Sequence, residues 1–294
     1  MKNVILTEKR NPNTTNIDIM DANQIAKVLN EEDKKVALAV EKCVPEIAKA
    51  IELIAQAFIK GGRLAYFGAG TSGRLGVLDA SECWPTFGVE HGMVNGFIAG
   101  GDEALRYSIE NSEDSEELGL QDLESFKPNS NDVVVGISAS GAPKYVLAVL
   151  KEAQKRGVKT VGISSNPEAI LQKYSDIFIN PVVGEEPVTG SSRMKSGTSQ
   201  KMILNMLSTG AMIRIGKTYE NYMIDVRMVN EKLIDRGTRI VAEIAKIPYE
   251  EAAEFLVESN NNVKTACFMA IKKCSKLEAE KMLQINGGIL RKVI

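Results

Sequence analysis

The chain has 294 residues with a net charge of −2, and its 44% hydrophobic and 25% charged content is typical of a soluble globular protein. This length allows one large α/β domain with a smaller second one. The absence of a dense Lys/Arg run argues against nucleic acid as a partner, and the absence of any stretch of about 18 apolar residues argues against a membrane span.

The first two-thirds of the chain has the pattern of an α/β fold. Residues 1–20 are expected to be irregular, and helical patterns follow from Asp21, with Asn30 as the N-cap of a second segment and a helix over 47–58 that ends at Gly61–Gly62. Strands and helices then alternate, which predicts a doubly wound, mostly parallel sheet with helices on both faces. The strands are predicted at 63–67, 93–99, 132–137, 159–164 and 176–180, and the helices at 72–82, 102–110, 143–156 and 166–173.

The pattern changes after Pro181. Two long helices are predicted at 192–216 and 222–246, and three short ones at 249–257, 261–272 and 275–284. We therefore expect a large domain over 1–246, including the N-terminal helices, and a small three-helix domain over 247–294.

Two of the predicted strands end in turns that are rich in Gly and hydroxyl residues. The first turn contains Thr71 and Ser72, and the second contains Ser138, Ser140 and Gly141. Free N–H groups at the start of a helix, the helix dipole and nearby hydroxyls together form an anion site. Two such turns in one α/β chain predict a phosphorylated small molecule held between them.

A third hydroxyl cluster contains Ser191 and Ser192, just before the first long helix. Arg193 and Lys195 in this region either offset phosphate charge or are ordinary surface cations. For all three clusters, the alternative interpretation is that the hydroxyls only cap helices.

The first turn also fits the dinucleotide-binding pattern GxGxxG at Gly68, Gly70 and Gly73. No acidic residue follows a second strand at the spacing that a bound ribose requires. The two hydroxyls of this turn suit a phosphomonoester better than they suit a dinucleotide.

The histidine and cysteine content limits the available chemistry. A single histidine, His91, excludes most catalytic zinc sites, and Cys43, Cys83, Cys267 and Cys274 lack metal-ligand or redox spacing. Such scattered cysteines fit a reducing cytoplasm and the N-terminus lacks a secretory signal, so we expect a cytoplasmic protein. The acid–base groups are then carboxylates, Lys, Tyr or His91.

Two carboxylates are candidates for acid–base work. Glu82 lies between an apolar stretch and Trp84, surroundings that favour a proton donor, although an exposed carboxylate at a helix end is an equal alternative. Glu113 lies in an acidic run in which most side chains are expected to be solvated. A straight helix over 72–82 would place Glu82 about 15 Å from Ser72. We therefore expect either a break in this helix or, as we favour, a site shared between the subunits of a homodimer.

Three stretches, 66–87, 132–146 and 183–230, together resemble the N-acetylmuramic acid 6-phosphate etherases, a family built on the sugar isomerase (SIS) domain. The opening LTEKRNPNTTNID is also similar. The resemblance implies an SIS-type sheet and cleavage of a C3 D-lactyl ether in a phosphorylated amino sugar, without a cofactor. It assigns catalysis to Glu82 and Glu113. Substrate and phosphate ligands are then expected at Thr71, Ser72, Ser138, Ser140, Gly141, Ser191 and Ser192.

One departure from the family pattern occurs after Gly141, where Ala142, Pro143 and Lys144 supply no hydroxyl. We expect Lys144 to compensate as a point charge. Two other functions stay open on the same fold: a non-catalytic sugar-phosphate sensor such as the glucokinase regulatory protein, and an aldose–ketose isomerase. Only the etherase releases lactate.

Overall fold

The computed structural model describes residues 5–228 and 230–294. Contacts divide the chain into two compact units: the first runs up to Ser81 and includes Gly92–Ser208, and the second comprises Glu82–His91 and Thr209–Ile294. This division differs from the predicted boundary at 246/247. The helix before that boundary packs against the two helices that follow it, so the contacts do not separate the chain there.

The first unit alternates strands with helices, as expected. Its strands are β1 (Leu64–Gly68), β2 (Val94–Ile98), β3 (Val133–Ile137), β4 (Lys159–Ile163) and β5 (Ile177–Ile179). Its helices are α1 (Ala22–Glu41), α2 (Val44–Ile59), α3 (Gly70–Phe87), α4 (Glu103–Arg106), α5 (Glu116–Phe126), α6 (Lys144–Lys155) and α7 (Lys195–Arg214), of which α3 and α7 continue past Ser81 and Ser208.

The five strands form one parallel sheet in the order β2-β1-β3-β4-β5, which confirms the predicted fold class. β1 and β3 are neighbours, with Gly68 opposite Ile137, although β2 separates them in the chain. The strand order therefore reverses between β1 and β3. In open α/β sheets this switch point, at the carboxyl ends of the strands, is where ligands bind.

Helices cover both faces of the sheet because successive side chains of a strand point to opposite sides. On one face, Ala65 and Phe67 of β1 pack with residues of α5 and α6 in a buried apolar cluster. On the other face, the Tyr66 hydroxyl donates to Asp79 Oδ2 of α3 at 2.9 Å. A Cβ added at Gly76 would lie 2.9 Å from Tyr66 Cβ, so glycine allows α3 to pack closely on the sheet.

Several predicted elements have different bounds. α1 continues through Asn30, so this predicted N-cap is wrong; Asp21 caps the helix instead, in a capping box with Gln24. α5 was not predicted, because its acidic residues mask an apolar stripe at Leu123 and Phe126. The predicted helix at 102–110 is reduced to α4, and the one at 166–173 is a 3₁₀-helix at Ile170–Tyr174.

The second unit is mainly helical. A short hairpin pairs β6 (Thr218–Tyr219) with β7 (Tyr222–Met223). β7 occupies the start of the predicted helix at 222–246, and the observed helix begins only after the N-cap Asn230. The remaining helices are α8 (Glu231–Ala245), α9 (Tyr249–Glu258), α10 (Val263–Lys272) and α11 (Lys276–Ile285). They bury a common core that includes Val241, Leu256, Cys267 and Leu283, and the three short predicted helices are confirmed. Within 5–228 and 230–294, no helix combines the length and apolarity needed to span a bilayer.

Candidate active site

A cavity of about 290 Å³ lies at the carboxyl ends of β1 and β3, where the strand order reverses. Its wall contains the two turns that follow these strands, together with parts of the N-terminal segment and of the loop before α7. Hydroxyl groups dominate the polar lining, and two carboxylates, Glu8 and Glu113, join them. Among the described residues no Lys, Arg or His is part of this lining, so an anion bound here would be held by hydroxyls and backbone N–H groups.

The first turn supplies the N-terminus of α3. The helix begins at Gly70, which has a φ of +53° and allows the chain to enter the helix directly from β1. Thr71 and Ser72 therefore lie in the first helical turn, where backbone N–H groups have no partner within the helix. The Ser72 hydroxyl donates to Gln200 Oε1 at 2.9 Å, and the described residues offer the Thr71 hydroxyl no hydrogen bond.

The second turn is held in shape by its own hydroxyls. Ser138 Oγ accepts a hydrogen bond from the Gly141 N–H at 3.0 Å and lies 3.5 Å from Ser140 Oγ. Gly141 has a φ of +72°, and a Cβ at this position would lie 2.3 Å from Ala169 Cβ, so only glycine fits. Ser138 and Ser140 line the cavity, whereas Gly141 shapes the turn without being part of the lining.

The third cluster contributes Gly190 and Ser192 to the cavity, but not Ser191. The first N–H groups of α7 do not point to a free anion site, because the buried Glu186 carboxylate accepts hydrogen bonds from the Lys195 and Ser196 N–H groups at 2.8 and 2.9 Å. Glu186 therefore caps the N-terminus of α7, and only the hydroxyl of Ser192 in this cluster is available at the cavity.

The Lys and Arg residues near the hydroxyl clusters do not lie where a phosphate ligand would be. Lys195 is 1% exposed, and its Nζ lies 2.7 Å from Glu32 Oε2, so it is neither a surface cation nor a phosphate ligand. Arg193 and Lys144 are exposed and are not part of the cavity lining. The compensating role that was expected of Lys144 has no support in this geometry.

Glu113 lies in the cavity with the two turns. It belongs to a 3₁₀-helix, Ser112–Asp114, that follows Asn111 in a left-handed conformation with a φ of +59°. The Ser112 hydroxyl donates to the Ile109 carbonyl at 2.9 Å and fixes this short helix. Within the described residues no cation pairs with Glu113, so its exposed carboxylate is available for a ligand.

Glu82 lies on α3, in the part of this helix that belongs to the second unit, and it is not among the lining residues of the cavity. Of the two alternatives that the sequence leaves open for Glu82, the structure shows the exposed carboxylate. Cys83 is buried and the Trp84 ring stacks on His91, whereas the Glu82 side chain is exposed. α3 is continuous from Gly70 to Phe87, so the less favoured alternative of a broken helix is wrong.

Two lining residues, Thr7 and Glu8, were not predicted. They belong to an N-terminal segment without helical or strand periodicity, and the only available signal was the resemblance of this segment to the opening of the family. No group of three or more His, Cys, Asp or Glu side chains that could hold a metal ion occurs in the part of the chain that the structure describes.

Comparison with protein families gives three matches along the chain. The N-terminal SIS domain of glucokinase regulatory protein matches residues 46–154, the SIS domain matches residues 125–210, and the C-terminal lid domain of glucokinase regulatory protein matches residues 220–265. Among solved structures, a phosphoheptose isomerase from Francisella tularensis is 17% identical with a TM-score of 0.50, covering 66% of this chain and all of the isomerase chain. That similarity supports the fold alone.

Curated relatives match nearly the whole chain. The N-acetylmuramic acid 6-phosphate etherase of Glaesserella parasuis is 52% identical over 99% of this chain and 96% of its own length. The protein of the same name from Clostridium botulinum is 49% identical, again over 99% of this chain and 96% of its own. The chain therefore belongs to the N-acetylmuramic acid 6-phosphate etherase family.

Proposed function

We propose that this protein is a carbon–oxygen lyase that cleaves the C3 D-lactyl ether of N-acetylmuramic acid 6-phosphate. The products are N-acetylglucosamine 6-phosphate and D-lactate. The observation that carries the proposal is the cavity in which Glu113 joins two hydroxyl-rich turns at the switch point of the sheet. The high identity to relatives with this name supports the same substrate.

The phosphate is bound, in this proposal, by the two turns. Thr71 and Ser72 provide hydroxyls at the N-terminus of α3, and Ser138 and Ser140 provide hydroxyls from the opposite turn. A helix N-terminus favours an anion through its dipole and its free N–H groups. Ser192 adds a hydroxyl from the loop before α7.

The proposed reaction is an elimination followed by addition of water. Once the sugar ring opens, the C1 aldehyde makes the hydrogen on C2 acidic, and a carboxylate removes this proton. The electron pair of the C2–H bond forms a C2–C3 double bond while the lactate oxygen leaves C3 and takes a proton from a general acid. Water then adds its oxygen to C3, and C2 is protonated again. Each positioned proton transfer contributes about 10²–10⁴-fold in rate.

Glu113 and Glu82 are the proposed acid–base pair. Glu113 is already in the cavity, whereas Glu82 is ten positions beyond Ser72 on a continuous helix, or about 15 Å along its axis. We therefore assign Glu82 to the cavity of a second copy of the chain, in a cytoplasmic homodimer. In this arrangement each site uses Glu113 of one subunit and Glu82 of the other.

Mixing two inactive variants tests the shared site. Glu82→Gln and Glu113→Gln homodimers are each expected to release little lactate, because every site lacks one carboxylate. Co-expression of the two variants gives random pairing, in which half of the dimers are mixed and each mixed dimer has one intact site. Such a mixture is expected to recover about a quarter of the wild-type activity. Two different affinity tags allow the mixed dimers to be purified. Purified mixed dimers that stay inactive would contradict a site shared in this way.

The role of Thr71 is tested by a matched pair of variants. Thr71→Ala removes a hydroxyl that has no other partner in the described residues and is expected to raise KM for the phosphorylated sugar about 10- to 100-fold, the usual loss for one hydrogen bond to a charged group. Thr71→Ser keeps the hydroxyl and is expected to have a KM near that of the wild type. Steady-state kinetics at constant pH gives both values, and an unchanged KM in Thr71→Ala would remove Thr71 from the phosphate site.

Release of free D-lactate distinguishes the proposed activity from the two alternatives on this fold. A lactate-specific assay of the protein with N-acetylmuramic acid 6-phosphate is expected to give lactate and sugar phosphate in equal amounts. A sensor protein would bind the substrate and release nothing, and an isomerase would alter the sugar without releasing lactate.

A further inference from the structure

The cavity contains a second carboxylate, Glu8, that the proposed chemistry does not use. Glu8 ends a short 3₁₀-helix, Leu6–Glu8, in the N-terminal segment. Its Oε2 atom lies 3.0 Å from the position that a Cβ would take at Gly190, which has a φ of +77°. The carboxylate therefore occupies space that a side chain at position 190 would need, on the same wall as Ser192.

Hydrogen bonds connect the N-terminal segment to this wall. Asn11 Nδ2 donates to the Glu185 carbonyl at 3.0 Å and to Glu32 Oε2 at 2.8 Å. The Thr14 hydroxyl donates to the Pro187 carbonyl at 2.7 Å. Residues 11–14 are thus tied to the loop that leads to Gly190, so Glu8 is held by fixed structure on its C-terminal side.

The residue next to Glu8 also lacks a partner at the cavity. Thr7 is 3% exposed and lines the cavity, and its Oγ1 atom is a buried polar atom without a hydrogen bond in the described residues. Buried polar groups are nearly always paired, and a group at a binding site can obtain its partner from the ligand. This wall therefore offers two polar groups that the described part of the chain does not satisfy.

The chemistry of a carboxylate indicates which part of the ligand it meets. A carboxylate only accepts hydrogen bonds, and it repels a phosphate dianion, whereas hydroxyl groups donate to it in strong charge-assisted bonds. No Lys or Arg pairs with Glu8 in the described residues, so this acceptor capacity is unused. We propose that Glu8 is a substrate-binding residue that accepts hydrogen bonds from the sugar hydroxyls while the two turns bind the phosphate.

This inference rests on the proposed function only for its ligand, a sugar phosphate, and it is tested without turnover. Calorimetry measures Kd for N-acetylglucosamine 6-phosphate and for propyl phosphate, a phosphomonoester without hydroxyl groups. Glu8→Ala is expected to raise Kd for the sugar phosphate about 10- to 100-fold. Its Kd for propyl phosphate is expected to stay unchanged or to fall, because a nearby negative charge is removed.

Arg10→Ala is the matched control, since Arg10 is exposed two positions further along the chain and does not line the cavity. It is expected to bind both ligands like the wild type, and thermal unfolding verifies that both variants are folded. The inference is overturned by an unchanged Kd for the sugar phosphate in Glu8→Ala, by an equal loss for both ligands, or by a wild type that binds neither. A wild type that binds the sugar phosphate but releases no lactate refutes the proposed lyase activity and leaves the role of Glu8 intact.

Discussion

Replacing Glu113 by Gln is expected to reduce the rate of lactate release by about 10²–10⁴-fold, the range for one positioned proton transfer. The amide has nearly the shape of the carboxylate but neither removes nor supplies a proton at neutral pH. Because Glu113 lies in the cavity beside the two hydroxyl-rich turns and the turns themselves are unchanged, the substrate is expected to bind still. The loss should therefore fall on kcat rather than on KM.

Asp114→Asn is the control for this variant. Asp114 is the next residue of the same 3₁₀-helix and is exposed, but it does not line the cavity. Steady-state kinetics of both variants is expected to show wild-type kcat for Asp114→Asn and the large loss only for Glu113→Gln. Equal kcat values for Glu113→Gln and the wild type would exclude Glu113 from the proton transfers.

The second large effect concerns stability and a buried ion pair, Glu32–Lys195. The two side chains are each 2% exposed, and Nζ lies 2.7 Å from Oε2. Glu32 also accepts hydrogen bonds from Asn11 and Asn13, at 2.8 and 2.9 Å, and forms a second ion pair with Lys35, whose side chain is exposed. Lys195→Met leaves this carboxylate buried without its main partner and is expected to lower the free energy of unfolding by about 3–5 kcal/mol.

The same cluster predicts an acid-sensitive contribution to stability. Burial alone would raise the pKa of Glu32, but hydrogen bonds from Lys195, Lys35, Asn11 and Asn13 outweigh it and lower the pKa to about 2 from 4.5. Between the pKa of about 2 in the folded chain and 4.5 in the unfolded chain, Glu32 binds more protons in the unfolded chain than in the folded one. The ionised Glu32 carboxylate therefore contributes about 3 kcal/mol to the free energy of unfolding above pH 4.5, and this contribution is lost as the pH falls towards 2.

Denaturant unfolding at several pH values measures both effects. Lys195→Met should be destabilised at neutral pH, and the double variant Glu32→Met/Lys195→Met should recover part of the loss, because no charge remains buried. Glu31→Gln is the control on the same helix: Glu31 pairs with Lys34 on the exposed surface, so its removal should leave stability nearly unchanged. Equal stability of Lys195→Met and the wild type would contradict this account of the pair.

The strands and the two turns could be predicted because their signals are local. Each strand is a short apolar run, and each turn contains Gly and hydroxyl residues directly after it, so the residue pattern alone indicates both elements. Thr71, Ser72, Ser138 and Ser140 therefore appeared as candidates, and the structure brings them to one cavity. Glu113 could be selected as a candidate only through the family resemblance, because the local sequence does not distinguish it from its acidic neighbours.

Contacts between distant residues had no such signal. Glu32 and Lys195 are 163 positions apart, and nothing near Lys195 in the sequence separates a buried cation from a surface one. Thr7 and Glu8 reach the cavity through hydrogen bonds of Asn11 and Thr14 to a loop more than 170 positions away. The predicted start of α8 at residue 222 was wrong because Tyr222 and Met223 form the second strand of a hairpin and the helix begins only at Glu231.

Isotope labelling tests the elimination and hydration directly. The reaction of the wild type in H₂¹⁸O is expected to place ¹⁸O in the C3 hydroxyl of N-acetylglucosamine 6-phosphate and to leave the hydroxyl of D-lactate unlabelled, because the C3–O bond breaks and water supplies the new oxygen. Mass spectrometry and ¹³C NMR locate the label. Label in the lactate hydroxyl, with none at C3 of the sugar, would show that the other ether bond breaks and would contradict the proposed mechanism.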